Sequence, residues 1–367
     1  MNALDIQKEI AAMAGYTITG STGDDPANKL RAKRRLAIVK ADIISRYGGK
    51  WPSQYREGWL PLAALVNTGT VTVTQNSRTV TGSATTWQTA GVTSDYKFLG
   101  PDGFYYKIAS VVSDTSLILT QPYQSSSDSG KGYQIWKDEY RLYPEVLSIG
   151  GFVDYQLQAI MSETWPRNMK DSYPFPVNTE LPNVYTVIGR KTSTSSYSTG
   201  TISGSINDNM LTGSGTSWLA NIEPGYEIVV GSYTYNVKAV YSDTSIELYQ
   251  RLVAAVLSGS TYSAVGRNAI TVRFREPTNQ RVVHYWYWAK DYPMQNDNDQ
   301  DWVMEMYPEV VILGAVVKDY LDKNDVARAN MSKVTYENAI KDMKVAEDNA
   351  MSGVRTLGYY LPPEARD

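Results

Sequence analysis

Apolar positions follow two different rhythms along this chain. Near the N-terminus they recur at helical spacing: Leu36, Val39, Ile43 and Tyr47 share one stripe, with Arg31, Arg34 and Arg35 on roughly the opposite side. The spacing predicts a helix that starts after Asp24-Asp25, with Pro26 in its first turn, and stops at Gly48-Gly49. A shorter helix is expected over about Ala3–Ala14. At the other end, Ala329, Tyr336, Ile340, Met343 and Ala350 predict a long helix over about Asp325–Ser352, ended by Gly353. The Tyr359-Tyr360-Leu361-Pro362-Pro363 segment beyond it is expected to be extended, because proline cannot continue a helix.

From Gly69 the rhythm changes to strict alternation, as in Thr70-Val71-Thr72-Val73-Thr74, with turn residues at short intervals. The same texture returns from Gly200, and the two stretches are copies. Thr81-Gly82-Ser83-Ala84-Thr85-Thr86-Trp87 returns as Thr212-Gly213-Ser214-Gly215-Thr216-Ser217-Trp218. Tyr106–Leu119 returns as Tyr235–Leu248, each with a Ser-Asp-Thr-Ser turn, and the offset shrinks from 131 to 129 residues between the two blocks. Each copy is predicted to be a small β-domain in which Trp87 and Trp218 anchor the core.

A second internal likeness joins Tyr143–Leu157 to Tyr307–Leu321 at a constant offset of 164. Both open Tyr-Pro-Glu-Val, both carry a glycine (Gly150, Gly314) on the apolar side, and both are expected to be helices. Asn183–Ile188, Ile270–Phe274 and Val282–Trp288 read as strands of the same core. The expected fold is therefore α+β: a helical-bundle core with a few strands, carrying two inserted all-β barrels or sandwiches. The expected division is 1–66 N-terminal helical part, 67–138 first β-insertion, 139–190 central helix and strand, 191–267 second insertion, 268–352 strand pair and C-terminal helices, and 353–367 extended tail.

Composition narrows the chemistry. There is no cysteine, which removes thiolate nucleophiles, disulfides and thiolate metal sites. The single histidine, His284, lies among strand aromatics with no nucleophile motif beside it, and one imidazole cannot furnish the usual zinc pair. Asp297-Asn-Asp-Gln-Asp301 has alternating oxygen ligands like a calcium loop, but Trp302 stands where glycine is needed; capping or turn roles are expected. Gly213–Ser217 lacks the lysine of a phosphate loop. Trp87, Trp136 and Trp218 could stack on sugars, although core anchoring fits the repeat better. No catalytic residue, cofactor or metal ligand is assigned, and the chain is not expected to be an enzyme. The net charge of −3 gives no reason for a nucleic-acid coat, and no apolar run is long enough to span a bilayer. The remaining charge feature is the basic helix bearing Lys29, Arg31, Lys33, Arg34, Arg35, Lys40 and Arg46. An acidic partner subunit would suit it.

The order of elements resembles the head-to-tail adaptor proteins of short-tailed bacteriophages. The likeness rests on the helical pair ending in Trp51-Pro52 and Arg56-Glu57-Gly58-Trp59-Leu60, and on the strand pair, the Lys290-Asp-Tyr-Pro293 turn, Tyr307-Pro-Glu-Val-Val and the long charged helix. It covers 1–66, 139–190 and 268–367, and the repeated Gly-Thr-Val-Thr-Val blocks resemble β-modules of phage tail proteins. The resemblance implies a structural virion protein at the head-tail junction, made in the host cytoplasm. It would form a homo-oligomeric ring, usually of twelve copies, that docks on the portal and extends the DNA channel without sequence-specific contact. Nozzle, tube or fibre proteins would then attach to it. A tail-tube, nozzle or fibre-attachment ring is the nearest alternative, and a carbohydrate-binding or depolymerising tail protein a more distant one. Partner contact is expected from Arg31, Arg34 and Arg35, and from Leu357, Tyr359, Tyr360 and Leu361 inserting into a portal crevice.

Overall fold

In the computed structural model, residues 1–20, 25–154, 159–172, 184–191, 196–274, 281–294 and 296–358 are described. The helices are α1 (Ala3–Ala14), α2 (Pro26–Ser45), α3 (Pro166–Ser172), α4 (Trp218–Asn221), α5 (Trp302–Met306), α6 (Pro308–Asp322) and α7 (Val326–Gly358). The core strands are β1 (Tyr55–Leu62), β2 (Glu139–Arg141), β3 (Val146–Asp154), β4 (Ala159–Ile160), β5 (Ser162–Glu163), β6 (Val184–Lys191), β7 (Ala269–Phe274) and β8 (Arg281–Ala289). The expected helical-bundle core with a few strands is wrong: strand (37%) exceeds helix (29%) among the described residues, and the strands form four sheets.

Two of those sheets form the part expected to be helical. One has the order β1-β8-β3-β4 and the other β5-β6-β7-β2. Leu60, Leu62, Phe152, Val283, Tyr285 and Tyr287 of the first share a core with Tyr140, Tyr185, Ile270, Val272 and Phe274 of the second. The strands expected as a pair, over 270–274 and 282–288, therefore lie in different sheets. The predicted central helix at 143–157 is also corrected, because Val146–Asp154 is a strand. Its two glycines make room for a cross-strand indole rather than a helix. A Cβ on Gly150 would stand 2.1 Å from Trp286 Cδ1, and one on Gly151 2.5 Å from Trp286 Cζ2. Gly314 in α6 does admit helices, since a Cβ there would meet Val39 of α2 at 2.5 Å and Tyr336 of α7 at 2.7 Å. The same Tyr-Pro-Glu-Val opening thus precedes a strand once and a helix once, with tertiary partners deciding between them.

The helical layer is α1, α2, α5, α6 and α7 around Ile6, Ile10, Leu36, Val39, Ile43, Trp51, Val311 and Tyr336. Asn2 closes a capping box on α1, and Asp25 accepts from Ala27 N–H at the start of α2, as its sequence position predicts. Helix α7 passes through Gly353 to Gly358, so the first part of the predicted extended tail is helical. A single interior glycine costs a helix only about 1 kcal/mol. Ala350, expected on the buried side, is exposed.

The two β-modules have the same architecture. In the first, the chain-order strands are Thr70–Val73, Thr79–Ser83, Lys97–Leu99, Tyr105–Ser113, Ser116–Leu119, Asp128–Lys131 and Gln134–Trp136. The second repeats them as Thr201–Gly204, Met210–Ser214, Glu227–Val230, Tyr233–Ser242, Ser245–Leu248, Val256–Ser260 and Ser263–Val265. Numbered from one to seven within a module, both have the spatial order 6-1-2-5-4-3-7, and the second adds Ser196–Tyr197 beside its last strand. The wholly buried Trp87 donates its indole N–H to Tyr133 Oη at 2.9 Å, and Tyr133 donates to Thr68 O. Trp218 does the same with Tyr262, also at 2.9 Å, and Tyr262 with Thr199 O. Gly69 and Gly200, at φ of +84° and +82°, start each copy where a Cβ would strike backbone oxygen.

Candidate functional site

The stretch between β8 and α5, described over 290–294 and 296–301, is where α1, α2, the first core sheet and the second module converge. Lys40, on the inner side of α2, is buried and reaches Asp291 Oδ1 at 3.0 Å, Asp301 Oδ2 at 2.5 Å and Tyr292 O at 3.2 Å. Burial pulls its ammonium downward in pKa, but Asp301 and Asp291 outweigh that and hold it charged. Burial lifts the Asp291 carboxyl to about 6, against the pull of Lys40. Asp301 also caps α5 through Met304 N–H at 2.9 Å. Asp299 accepts Arg251 N–H at 2.6 Å from the second module and Asn296 N–H at 2.8 Å, while its carbonyl and that of Asp297 accept from Ala3 and Leu4. The acidic run is a clasp. Among the described residues no group of three His, Cys, Asp or Glu side chains is placed to hold a metal ion.

Glu145 joins the same module to the core. It is buried and accepts from the hydroxyls of Tyr287 and Tyr249, the latter at 2.7 Å. Burial raises its pKa and the two hydroxyls oppose the rise. Gly225 of the module packs on its backbone so tightly that a Cβ would come within 2.2 Å of Glu145 N. Between these two clasps lies a cleft of about 330 Å³, bordered by Lys40, Gln54, Tyr249, Lys290, Asp291 and Tyr292. Burial lowers the Lys290 ammonium to about 8, and its Nζ donates to Pro144 O. The charges around the cleft are turned onto one another and onto backbone carbonyls, which suits holding a module in place.

The sequence-predicted contact residues separate. Arg31 meets the wholly buried Asp319 of α6 at 2.6 Å, and Arg35 pairs with Asp322. Both therefore bind α2 to α6 inside one chain, and of the three arginines only Arg34 stays exposed. Leu357 falls within α7, while Tyr359, Tyr360 and Leu361 lie outside the described residues. His284 is buried on β8 opposite Trp59, and burial lowers its pKa. Trp87, Trp136 and Trp218 are buried and offer no stacking platform to a sugar. A one-turn helix, α4, follows Gly213–Ser217, but Asp243 already takes the Leu219 N–H at 3.0 Å, so the loop offers its amides to the protein's own carboxylate.

Sequence reasoning put Lys40 on the basic face and missed Glu145 and Glu347; all three are buried and structural. For Lys40 a signal existed: it sits four residues after Leu36 and three before Ile43, on the apolar side of α2. Glu347, which accepts from Ser53 N–H at 2.9 Å and Tyr307 Oη at 3.1 Å, likewise lies four residues beyond Met343.

The exposed surface carries several large apolar side chains. Trp59 is 56% exposed on the outer face of β1, and Trp165, Ile160 and Met331 are more exposed still. The β1 edge is interrupted by Pro61, which has no N–H to offer an added strand. No helix among the described residues is long and apolar enough to cross a membrane. No protein-family profile matches the sequence, and no characterised protein matches it either.

Proposed function

We propose that this chain is a structural, non-catalytic subunit of a bacteriophage virion: a head-to-tail adaptor that forms a homo-oligomeric ring on the portal and extends the DNA channel. The observation that carries this reading is where the reactive side chains go. Lys40, Glu145, Asp291, Asp299, Asp301 and Glu347 are spent on joining elements of one chain, while large apolar side chains stand on the outside. That is the division of labour expected of an assembly subunit. The twin β-modules, each with its own closed core, serve on this reading as outward platforms for nozzle, tube or fibre proteins. DNA passes without sequence-specific contact.

Heads assembled without this chain supply the test. Added purified protein is expected to seal them against DNA loss and to permit tail attachment. Heads that retain DNA and accept tails equally well without it would contradict the proposal.

A further inference from the structure

The two modules carry the same corner, and the chain's own core covers it in only one of them. In the second module Asn207 N–H donates to Leu252 O at 2.9 Å and Tyr249 N–H to Asn236 O at 2.8 Å. In the first, Asn76 N–H donates to Tyr123 O and Thr120 N–H to Lys107 O, both at 2.8 Å. Asn207 and Asn76 both adopt positive φ, +64° and +60°, a conformation asparagine tolerates. The backbones therefore match, with Thr120, Gln121 and Pro122 standing where Tyr249, Gln250 and Arg251 stand.

In the second module this corner grips the acidic loop that precedes α5. The side-chain amides of Asn296 and Asn298 donate to Asn207 Oδ1 at 3.0 and 2.9 Å, and Gln250 Nε2 donates to Pro293 O at 3.2 Å. Arg251 N–H holds Asp299, and the Tyr249 ring lies against Tyr292 with centres 4.7 Å apart. The contact leaves Gln250 only 2% and Asn236 9% exposed. Their counterparts in the first module, Gln121 and Lys107, are exposed, as are Asn76 and Thr120.

We infer that the bare corner of the first module is a docking site for an acidic loop of another protein chain. The inference rests on the platform role proposed above for the modules and names the chemistry of what this one holds. The covered copy supplies the template, because Gln121 and Asn76 retain the two side chains whose counterparts hold the loop. Charge supplies the selection. Lys107 replaces Asn236, and Arg78 replaces Asn209, which borders the covered cleft. Lys97, cross-strand from Lys107, is committed to Asp138, while Lys107 and Arg78 are exposed. Tethering explains why only this corner gained cations: a segment of the same chain meets its corner at high effective concentration, whereas a separate chain benefits from electrostatic steering. Pro122, standing for Arg251, has no N–H to hold a carboxylate, so the partner's acid is assigned to Lys107 and Arg78 instead.

A labelled, end-capped peptide of residues 290–301, with four aspartates and one lysine, is the probe, titrated into the full-length protein by fluorescence anisotropy at low salt. Saturable binding is expected. It should weaken roughly ten-fold in R78Q/K107Q and measurably in Gln121→Ala, both first checked for an unchanged thermal unfolding midpoint. A scrambled peptide of the same composition should bind more weakly than the native order. Absence of saturable binding, or equal binding by wild type and both variants, would overturn the site. Equal binding of the scrambled peptide would reduce it to bare charge and overturn the docking role. Single-stranded DNA that binds more tightly than the peptide and loses affinity in R78Q/K107Q would overturn the choice of a protein partner. Self-association of wild type that R78Q/K107Q abolishes would replace that partner with a second copy. None of these results bears on ring formation, which micrographs with portal decide separately.

Discussion

Replacing Lys40 with methionine would leave Asp291 and Asp301 facing each other without a cation in a buried place. The expected cost is about 3–5 kcal/mol in a denaturant titration, most of it recovered when both aspartates are also replaced by asparagine. A change under about 0.5 kcal/mol for Lys40→Met, the level of an ordinary surface substitution, would remove the clasp from the account. Glu139 gives the pH-dependent counterpart. Burial alone would raise its pKa, but Lys191 and Arg273 donate to it and bring it down to about 2. Its folded value lies below the unfolded one, so its contribution is complete above about pH 4.5 and fades as pH falls toward 2. Comparing acid unfolding of wild type and Glu139→Gln should therefore show a shallower slope in the variant between those values. Parallel curves would contradict the assignment.

At the scale of elements, the modules make the firmest prediction. The first has a core of its own, built from Val71, Val80, Trp87, Phe98, Ile108, Leu117 and Ile135, and the second mirrors it. Residues 64–137 expressed alone should fold cooperatively with Trp87 shielded from quencher, and Trp87→Phe and Trp218→Phe should cost the whole chain similar amounts, about 1–3 kcal/mol each for the lost buried indole–hydroxyl bond and the smaller ring. Unequal losses would mean that the copies have diverged in what their tryptophans do. The modules were legible because a repeat confirms itself: matched turns and tryptophans stand at matched positions. The α1 and α2 starts were legible because Asn2 and Asp25 cap locally. The core between the modules was not. The segment 143–157 carries apolar residues at intervals that fit either period, and its glycines serve Trp286, which lies more than 130 residues away. The clasp residues escaped for a related reason. A charged side chain inside a helix looks solvated until its distant partners are placed, as Arg31 and Asp319 also show.

For the whole molecule, the internal pairing of Arg31 and Arg35 changes what assembly should respond to. Docking through a basic helix would weaken steeply with salt, whereas with Arg31 and Arg35 already paired inside the chain assembly should weaken little as salt rises. The exposed Arg34 is then a minor contributor, and Arg34→Ala should shift assembly less than ten-fold in a concentration series. The proposal as a whole stands or falls on the ring. Electron microscopy of the purified chain mixed with isolated portal is its most direct measurement: closed rings of this protein, coaxial with the portal and with the twin β-modules projecting outward, are the predicted result. Portal rings that remain bare while the chain stays monomeric at every concentration tried would contradict it.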